Sequence, residues 1–317
     1  MLRWLFVLFC LFAGSAAAVY PDKPIRFVIP SAPGGSPDVL MRILLAEMSK
    51  QMGVAFVVEN KPGASFAIGT MEIVRAPADG YTLGYGNIVS LAVNRSLLET
   101  MPYDVERDLT LVSNIVRVYN MLAVNNNLPV RTVPELIAYA KRNPGRLTMA
   151  SGGNGTTGHL GGELFKTMTG TFILHVPYRG SAQAINDLIG GQIQLMFDNV
   201  PSIGPHVKSG RVRGIAVSGP RRSPVFPEIP TVAEAGVPGY ETIAWGGVIG
   251  PANLPKDIVA RLLAEIRTAY ASPAVQERYR NLDTEIDGGT PEQFQALVRA
   301  ETPKWAAVVK RSGAKVD

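Results

Sequence analysis

Three glycine-containing loops carry most of the residues whose types could hold or transform a small molecule. They read Pro-Ser-Ala-Pro-Gly-Gly-Ser-Pro-Asp at 30–38, Glu-Asn-Lys-Pro-Gly-Ala-Ser at 59–65 and Ser-Gly-Gly-Asn-Gly-Thr-Thr-Gly at 151–158. Each follows a short apolar run and precedes a helical pattern. Glycine lacks a Cβ, so bare N–H groups at such a helix start make an anion site without a charged side chain. For a lone loop the simpler reading is that Gly34 and Gly35 only allow a tight turn. The repetition of the device along the chain is what argues for an anion site.

Nucleophilic chemistry finds little support. Ser31, Ser36, Ser65 and Ser151 lie in these loops, but there is no Gly-x-Ser-x-Gly elbow and no paired base, so they read as hydrogen-bond donors. His159, His175 and His206 share no metal-ligand spacing, and a structural role is the default for all three. That spacing gives no reason to expect a metal, and the 152–158 loop lacks the lysine of a phosphate-binding loop, so no nucleotide cofactor is expected. What remains is a cleft of hydroxyls and N–H groups able to grip a carboxylate. Hydrogen bonds to a charged group contribute roughly 1.5–3 kcal/mol each, and three or four support micromolar binding after the cost of association. Arg179 and Lys61 could add positive field. Asp198, at a strand end, could accept from a ligand hydroxyl or amine, or equally cap a turn. Tyr178 and Phe66 could pack on a ligand body or on the protein itself.

The elements that must position these loops alternate. The run at 25–29 reads as a buried strand and is followed by a helix with Ser36 as N-cap and Pro37 at its first position, stopped by Gly53. Strands at 56–58 and 81–85 bracket a helix over 66–75. This β-α-β-α-β order predicts a parallel sheet with helices on both faces and ligands outside the carboxyl ends of its strands. The plan repeats with strands at 147–150, 172–176, 192–197 and 212–217 and helices at 132–142, 159–168 and 181–189. Two long apolar segments, 109–124 and 242–249, read as crossings between two α/β lobes. Thr231 to Glu234 in the order Thr-Val-Ala-Glu is a capping box for a short helix, and the tail is helical over 254–270 and 290–311.

The chain has 317 residues, long enough for two modest domains, with 46% apolar and 18% charged residues and a net charge of +5. No Lys/Arg cluster marks a nucleic-acid face. Residues 1–18 read as a cleaved export signal: Arg3, a short apolar stretch, then Ala16-Ala17-Ala18. The stretch is too short to span a bilayer, which takes about 20 apolar residues. The expected location is therefore the periplasm. The single cysteine, Cys10, falls inside this segment, where a lipidation site is a minor alternative because the preceding Phe9 is bulky. The mature chain then has no disulfide and no thiol nucleophile.

Taken together, these motifs resemble the Bug receptors, the periplasmic solute-binding proteins of tripartite tricarboxylate transport systems. The resemblance is carried in order by Pro-x-x-Pro-Gly-Gly-x-x-Asp at 30–38, Val-Glu-Asn-Lys-Pro-Gly-Ala at 58–64 and Asp-Gly-Tyr-Thr-Leu at 79–83. Further along come Gly-Asn-Gly-Thr-Thr-Gly-His-Leu at 153–160, His-Val-Pro-Tyr-Arg-Gly at 175–180, Met-Phe-Asp-Asn at 196–199, Pro-Thr-Val-Ala-Glu-Ala-Gly at 230–236 and Gly-Gly-Thr-Pro-Glu-Gln-Phe at 288–294. It implies a type II periplasmic-binding (Venus flytrap) α/β fold: lobe one over 19–120 and 241–317, lobe two over 121–240. It also implies a carboxylate gripped partly through water. The contacts carried over are Ser31, Ala32, Gly34, Gly35, Ser36 and Asp38 from the first loop, then Ser65, Phe66 and Ala67. Lobe two supplies Ser151, Gly153, Gly155, Thr156 and Thr157, with Tyr178 beside them and Asp198 as a selectivity position. Many members have two glycines where this chain has Ser65-Phe66, and Phe66 is expected to narrow the pocket.

The expectation is a non-enzymatic receptor, monomeric and free of cofactors. It would close around a small di- or tricarboxylate or related organic acid and deliver it to a membrane permease. Three rivals remain at this stage: a sensor feeding a two-component kinase, a binder of aromatic or nicotinate-like acids, and, more distantly, an exported serine hydrolase.

Overall fold

Strand β1 (Ile25–Ile29) is buried along almost its whole length, as its apolar run requires, and lies between β2 (Phe56–Asn60) and β3 (Thr82–Asn87), both parallel to it. The computed structural model describes residues 20–312 and 314, so the expected export signal and Cys10 lie outside the described residues. Helices α1 (Ser36–Met52) and α2 (Ala67–Val74) make the two crossovers. A π-helical turn at Val89–Val93 and the short helices α3 (Asn94–Leu97) and α4 (Val105–Asp108) lead into the long strand β4 (Leu109–Val124).

The second half repeats the plan with α5 (Val133–Arg142), β5 (Thr148–Ser151), α6 (Thr157–Thr169), β6 (Leu174–Pro177), α7 (Ser181–Gly190), β7 (Leu195–Asn199), α8 (Val200–Lys208) and β8 (Arg213–Val217). Strand β9 (Ile243–Pro251) then returns to the first half, followed by α9 (Lys256–Ala271), α10 (Pro273–Asn281), β10 (Thr284–Ile286) and α11 (Pro291–Ser312). The main strand order is β2-β1-β3-β9-β4-β7-β5-β6, with β8 and β10 also pairing to β4.

Strand β4 belongs to both halves. Residues 109–119 pair with β9, and residues 120–124 pair with β7. Separate cores form on each side of this division, one around Phe27, Leu44 and Tyr279 and another around Phe165, Phe197 and Tyr240. Ser218 ties the outward and return passages together. Its hydroxyl accepts the Asn120 N–H at 2.8 Å and donates to the Thr242 carbonyl at 2.6 Å.

Several local expectations shift for identifiable reasons. Helix α1 is capped by Gly35, and Ser36 is its first residue rather than its cap. Asp38 explains the shift, because its Oδ2 accepts the Gly34 N–H from within the first turn. Helix α6 starts at Thr157, two residues earlier than expected, with the Thr156 hydroxyl accepting the His159 N–H. Thr231 and Glu234 make the reciprocal bonds of a capping box, yet only a turn follows, because Gly236 at φ +106° and Pro238 break the segment. Helix α8 has no counterpart in the pattern reading; Pro201, Gly204 and Pro205 disguise it as loop.

Candidate functional site

The loops after β1, β2, β5 and β6, and the end of β7, converge on a cavity of about 700 Å³. All are carboxyl ends of parallel strands, where helix starts leave N–H groups without intrahelical partners. Of the expected contacts, Ser31, Ala32, Gly35, Ser36, Ser65 and Phe66 reach the wall from the first half. Gly153, Thr156, Thr157, Tyr178 and Asp198 reach it from the second.

Five expected contacts stand behind the wall instead, and each has a structural reason. Asp38 turns into its own loop: Oδ2 takes the Gly34 N–H at 3.0 Å, while Oδ1 takes Arg42 Nε at 2.9 Å and Asn60 Nδ2 at 3.0 Å. Gly34 is thereby committed to shaping the loop at φ +78°. Ala67 opens α2 and is buried in the core. Ser151 is fully buried, with its hydroxyl 2.7 Å from His175 Nε2. Gly155 sits at φ +79° and donates its N–H to His159 Nδ1 at 3.0 Å.

The two histidines thus form the floor of the glycine-threonine loop. Their rings stack with centroids 4.0 Å apart at 12°. Burial pushes His159 down to about 4, with a smaller contribution from Lys166. Burial pushes His175 down to about 3, helped by His159 and Lys166. Both are neutral near pH 7, and His159, whose Nδ1 accepts the Gly155 N–H hydrogen bond, carries its proton on Nε2.

The loop after β2 is held in an unusual backbone. Ala64, Ser65 and Phe66 have φ of 43°, 48° and 71° in succession. A side chain in this left-handed region costs about 1–2 kcal/mol per residue, so the surroundings must over-determine it. They do: Asn94 Nδ2 donates to the Ser65 carbonyl at 2.8 Å, Thr70 Oγ1 to the Phe66 carbonyl at 2.9 Å, and the Ala67 N–H to the Ala64 carbonyl at 2.9 Å. Ser65 and Phe66 occupy the conformation that glycine takes freely.

Close contacts span the cleft. Ser65 Oγ donates to the Asn154 carbonyl at 3.0 Å. A Cβ added to Gly180, at φ +137°, would stand 2.6 Å from the Ala32 Cβ, so this glycine lets the first loop approach. The wall carries two charged side chains, the exposed Arg179 and the buried Asp198. Asp198 Oδ1 accepts the Ser181 hydroxyl at 2.9 Å, whereas Asp198 Oδ2 and Ser31 Oγ are buried without partners. Burial pushes Asp198 up to about 7, against the weaker downward pull of Ser181, the Asn199 backbone and Ser202. Lys61 is drawn to Glu59, at 3.5 Å, and is not on the wall.

Sequence reading missed Asn154, Ser181, Asn199 and Trp245 on this wall. Asn199 had a usable signal, following Asp198 at a strand end; it reaches Asn120 Oδ1, which also accepts Thr157 Oγ1 at 3.2 Å. Trp245 had none, since a tryptophan in an apolar strand reads as core. Its Nε1 shares Glu301 Oε2 with Trp305 Nε1, at 3.4 and 2.8 Å. Among the described residues no group of three or more His, Asp or Glu is placed to hold a metal ion, and no helix is long and apolar enough to cross a membrane.

Comparison with known proteins adds four findings. Residues 40–314 match the family model described as tripartite tricarboxylate transporter family receptor. The protein BugT of Bordetella pertussis is 36% identical over 314 residues, 98% of this chain and 96% of its own length. Among solved structures, Rpa4515 of R. palustris with adipate superposes at a TM-score of 0.91 with 40% identity, covering 94% of this chain and all of that one. MatC of Rhodopseudomonas palustris, with bound malate, reaches 0.86 with 28% identity, covering 92% of this chain and all of that one.

Proposed function

Since the chain belongs to the tripartite tricarboxylate transporter receptor family, whose members are solute-binding proteins and not enzymes, we propose that it is an extracytoplasmic receptor for a small organic acid. The ligand class is a di- or tricarboxylate, and the lobes that close on it divide at residues 120 and 241. The receptor works in the periplasm as a single chain and hands its ligand to a tripartite tricarboxylate-type permease. The observation that carries this reading is the pair Ser31 Oγ and Asp198 Oδ2. These two buried polar atoms have no partner, belong to residues lining one cavity, and come from opposite halves of the molecule. A polar ligand that touches both halves satisfies both atoms at once, and that is how a ligand stabilises a closed form. The adipate and malate bound by similar proteins fit the same chemistry.

The test is a thermal-shift screen of the mature protein, refolded to remove any co-purified ligand. The library holds adipate, malate, citrate, amino acids, nicotinate and the amides of the acids. A ligand at about 100 times its Kd adds about 2.7 kcal/mol, so a binding acid raises the melting temperature and its amide does not. Shifts with neutral solutes alone would overturn the carboxylate reading.

A further inference from the structure

Asp198 is the last residue but one of β7, only 6% exposed, and is one of the residues that line the cavity. One carboxyl oxygen is occupied by the Ser181 hydroxyl, while Oδ2 is buried with no hydrogen-bond partner. Ser202 stands close enough to pull on it, yet its hydroxyl also makes no hydrogen bond. The ionisable groups on the surrounding elements are engaged elsewhere. Glu163 pairs with Lys166 on α6, and Asp187 on α7 accepts the Tyr178 hydroxyl. Arg117 on β4 pairs with Asp287, and Arg213 on β8 donates to backbone carbonyls. His159 and His175 stack on each other, burial also lowers His206 on α8, and Arg179 is exposed. None of these charges acts on Asp198.

A carboxylate oxygen buried bare is costly, whereas a protonated one becomes a donor. Building on the carboxylate-receptor reading, we propose that Asp198 faces the ligand as a neutral carboxylic acid and donates from Oδ2 to a ligand carboxylate. Above neutral pH the receptor therefore takes up one proton with its ligand. No covalent bond changes; the proton sits in an O–H···O⁻ hydrogen bond between two carboxyl groups, a short and strong type. Burial already brings Asp198 to about 7, and a ligand anion raises it further. A ligand presenting an ammonium to this oxygen would instead favour the ionised form, and its affinity would rise with pH.

The test has two readouts. NMR of isotope-labelled aspartate carboxyls in the ligand-free protein follows Asp198 directly. Calorimetry then measures adipate and malate binding from about pH 5.5 to about pH 8.5, in buffers of different ionisation enthalpy, with Asp198→Asn alongside. We expect Asp198 to titrate near neutrality, and affinity to fall about ten-fold per pH unit above its pKa with net proton uptake. Asp198→Asn keeps a donor at this position and should bind with flat pH dependence. An Asp198 that titrates in the ordinary carboxylate range, or wild-type affinity that is flat or rises with pH, would overturn the proposal alone. Failure of both acids to bind at any pH, with the raised Asp198 seen by NMR, would remove the carboxylate reading and the shared proton with it.

Discussion

Ser65 Oγ donates to the Asn154 carbonyl at 3.0 Å, joining the loop after β2 to the loop after β5 across the cleft. The two residues belong to opposite halves, so the bond forms only when those halves are together. Ser65→Ala should leave the melting temperature of the ligand-free protein within a degree or two. It should weaken organic-acid binding by about five-fold, the worth of about 1 kcal/mol of hydrogen bonding lost from the closed form. Calorimetric titration of wild type and variant checks this. A fall in stability with unchanged affinity would make the bond a fold contact rather than a closure contact.

The left-handed run at 64–66 makes a prediction about strain. Ala64 is exposed at φ 43°, so Ala64→Gly releases backbone strain and loses almost no packing. It should stabilise the protein by about 0.5–1 kcal/mol, the penalty of the left-handed region less the greater freedom of glycine in the unfolded chain. Phe66→Gly gains the same relief but gives up the ring's contact with the core, and it enlarges the cavity that the ring lines. Its melting temperature should fall relative to Ala64→Gly, and its preference should move from malate toward bulkier acids. Melting curves and competition titrations read both effects; an unchanged preference would show that Phe66 does not set the cavity's size.

Gly180 tests how closely the halves must approach. Gly180→Ala places a methyl 2.6 Å from the Ala32 Cβ, and the contact is relieved by moving the halves apart. Affinity should drop at least about ten-fold, because about 1.4 kcal/mol lost from closure already has that effect. Circular dichroism should show an intact fold, and solution scattering should show a larger radius that ligand no longer reduces. Wild-type affinity in this variant would mean that the first loop does not dock on Gly180 during binding.

Much of this arrangement was legible in the sequence because it is local. Apolar runs followed by glycine loops and helix starts identified the strands' carboxyl ends, and Thr290 and Gln293 make both bonds of the capping box their spacing predicts. Asp38 stands behind the cavity wall because its partner Gly34 is only four residues away; an acidic residue in a helix's first turn is at least as able to hold its own loop as to face a ligand. Ser151 stands behind the wall for a different reason, since His175, 24 residues later on the neighbouring strand, pairs with its hydroxyl. The Ser65–Asn154 contact, 89 residues apart in the chain, depends on how two halves meet, which no local pattern encodes.

The stacked histidines predict an acid limb in the stability curve. His159 and His175 are held far below the ordinary histidine value of about 6.5. Unfolding frees both to bind protons, so their contribution is complete above about pH 6.5 and is lost as pH falls toward 4. Asp198, raised above the usual aspartate value, acts with the opposite sign: it favours the folded state at low pH and loses that contribution as pH rises from about 4 through 7. The two slopes oppose each other in the wild type, so variants must separate them. His175→Gln keeps a polar partner for Ser151 Oγ but cannot be charged; it should flatten the acid limb while leaving the melting temperature near pH 7 within a few degrees. Asp198→Asn should steepen the acid limb relative to wild type and remove the decline toward neutrality. Urea melts from about pH 4 to about pH 8 on the three proteins measure both changes. An acid limb of unchanged slope in His175→Gln would mean that the loop over residues 151–158 does not depend on a neutral imidazole beneath it.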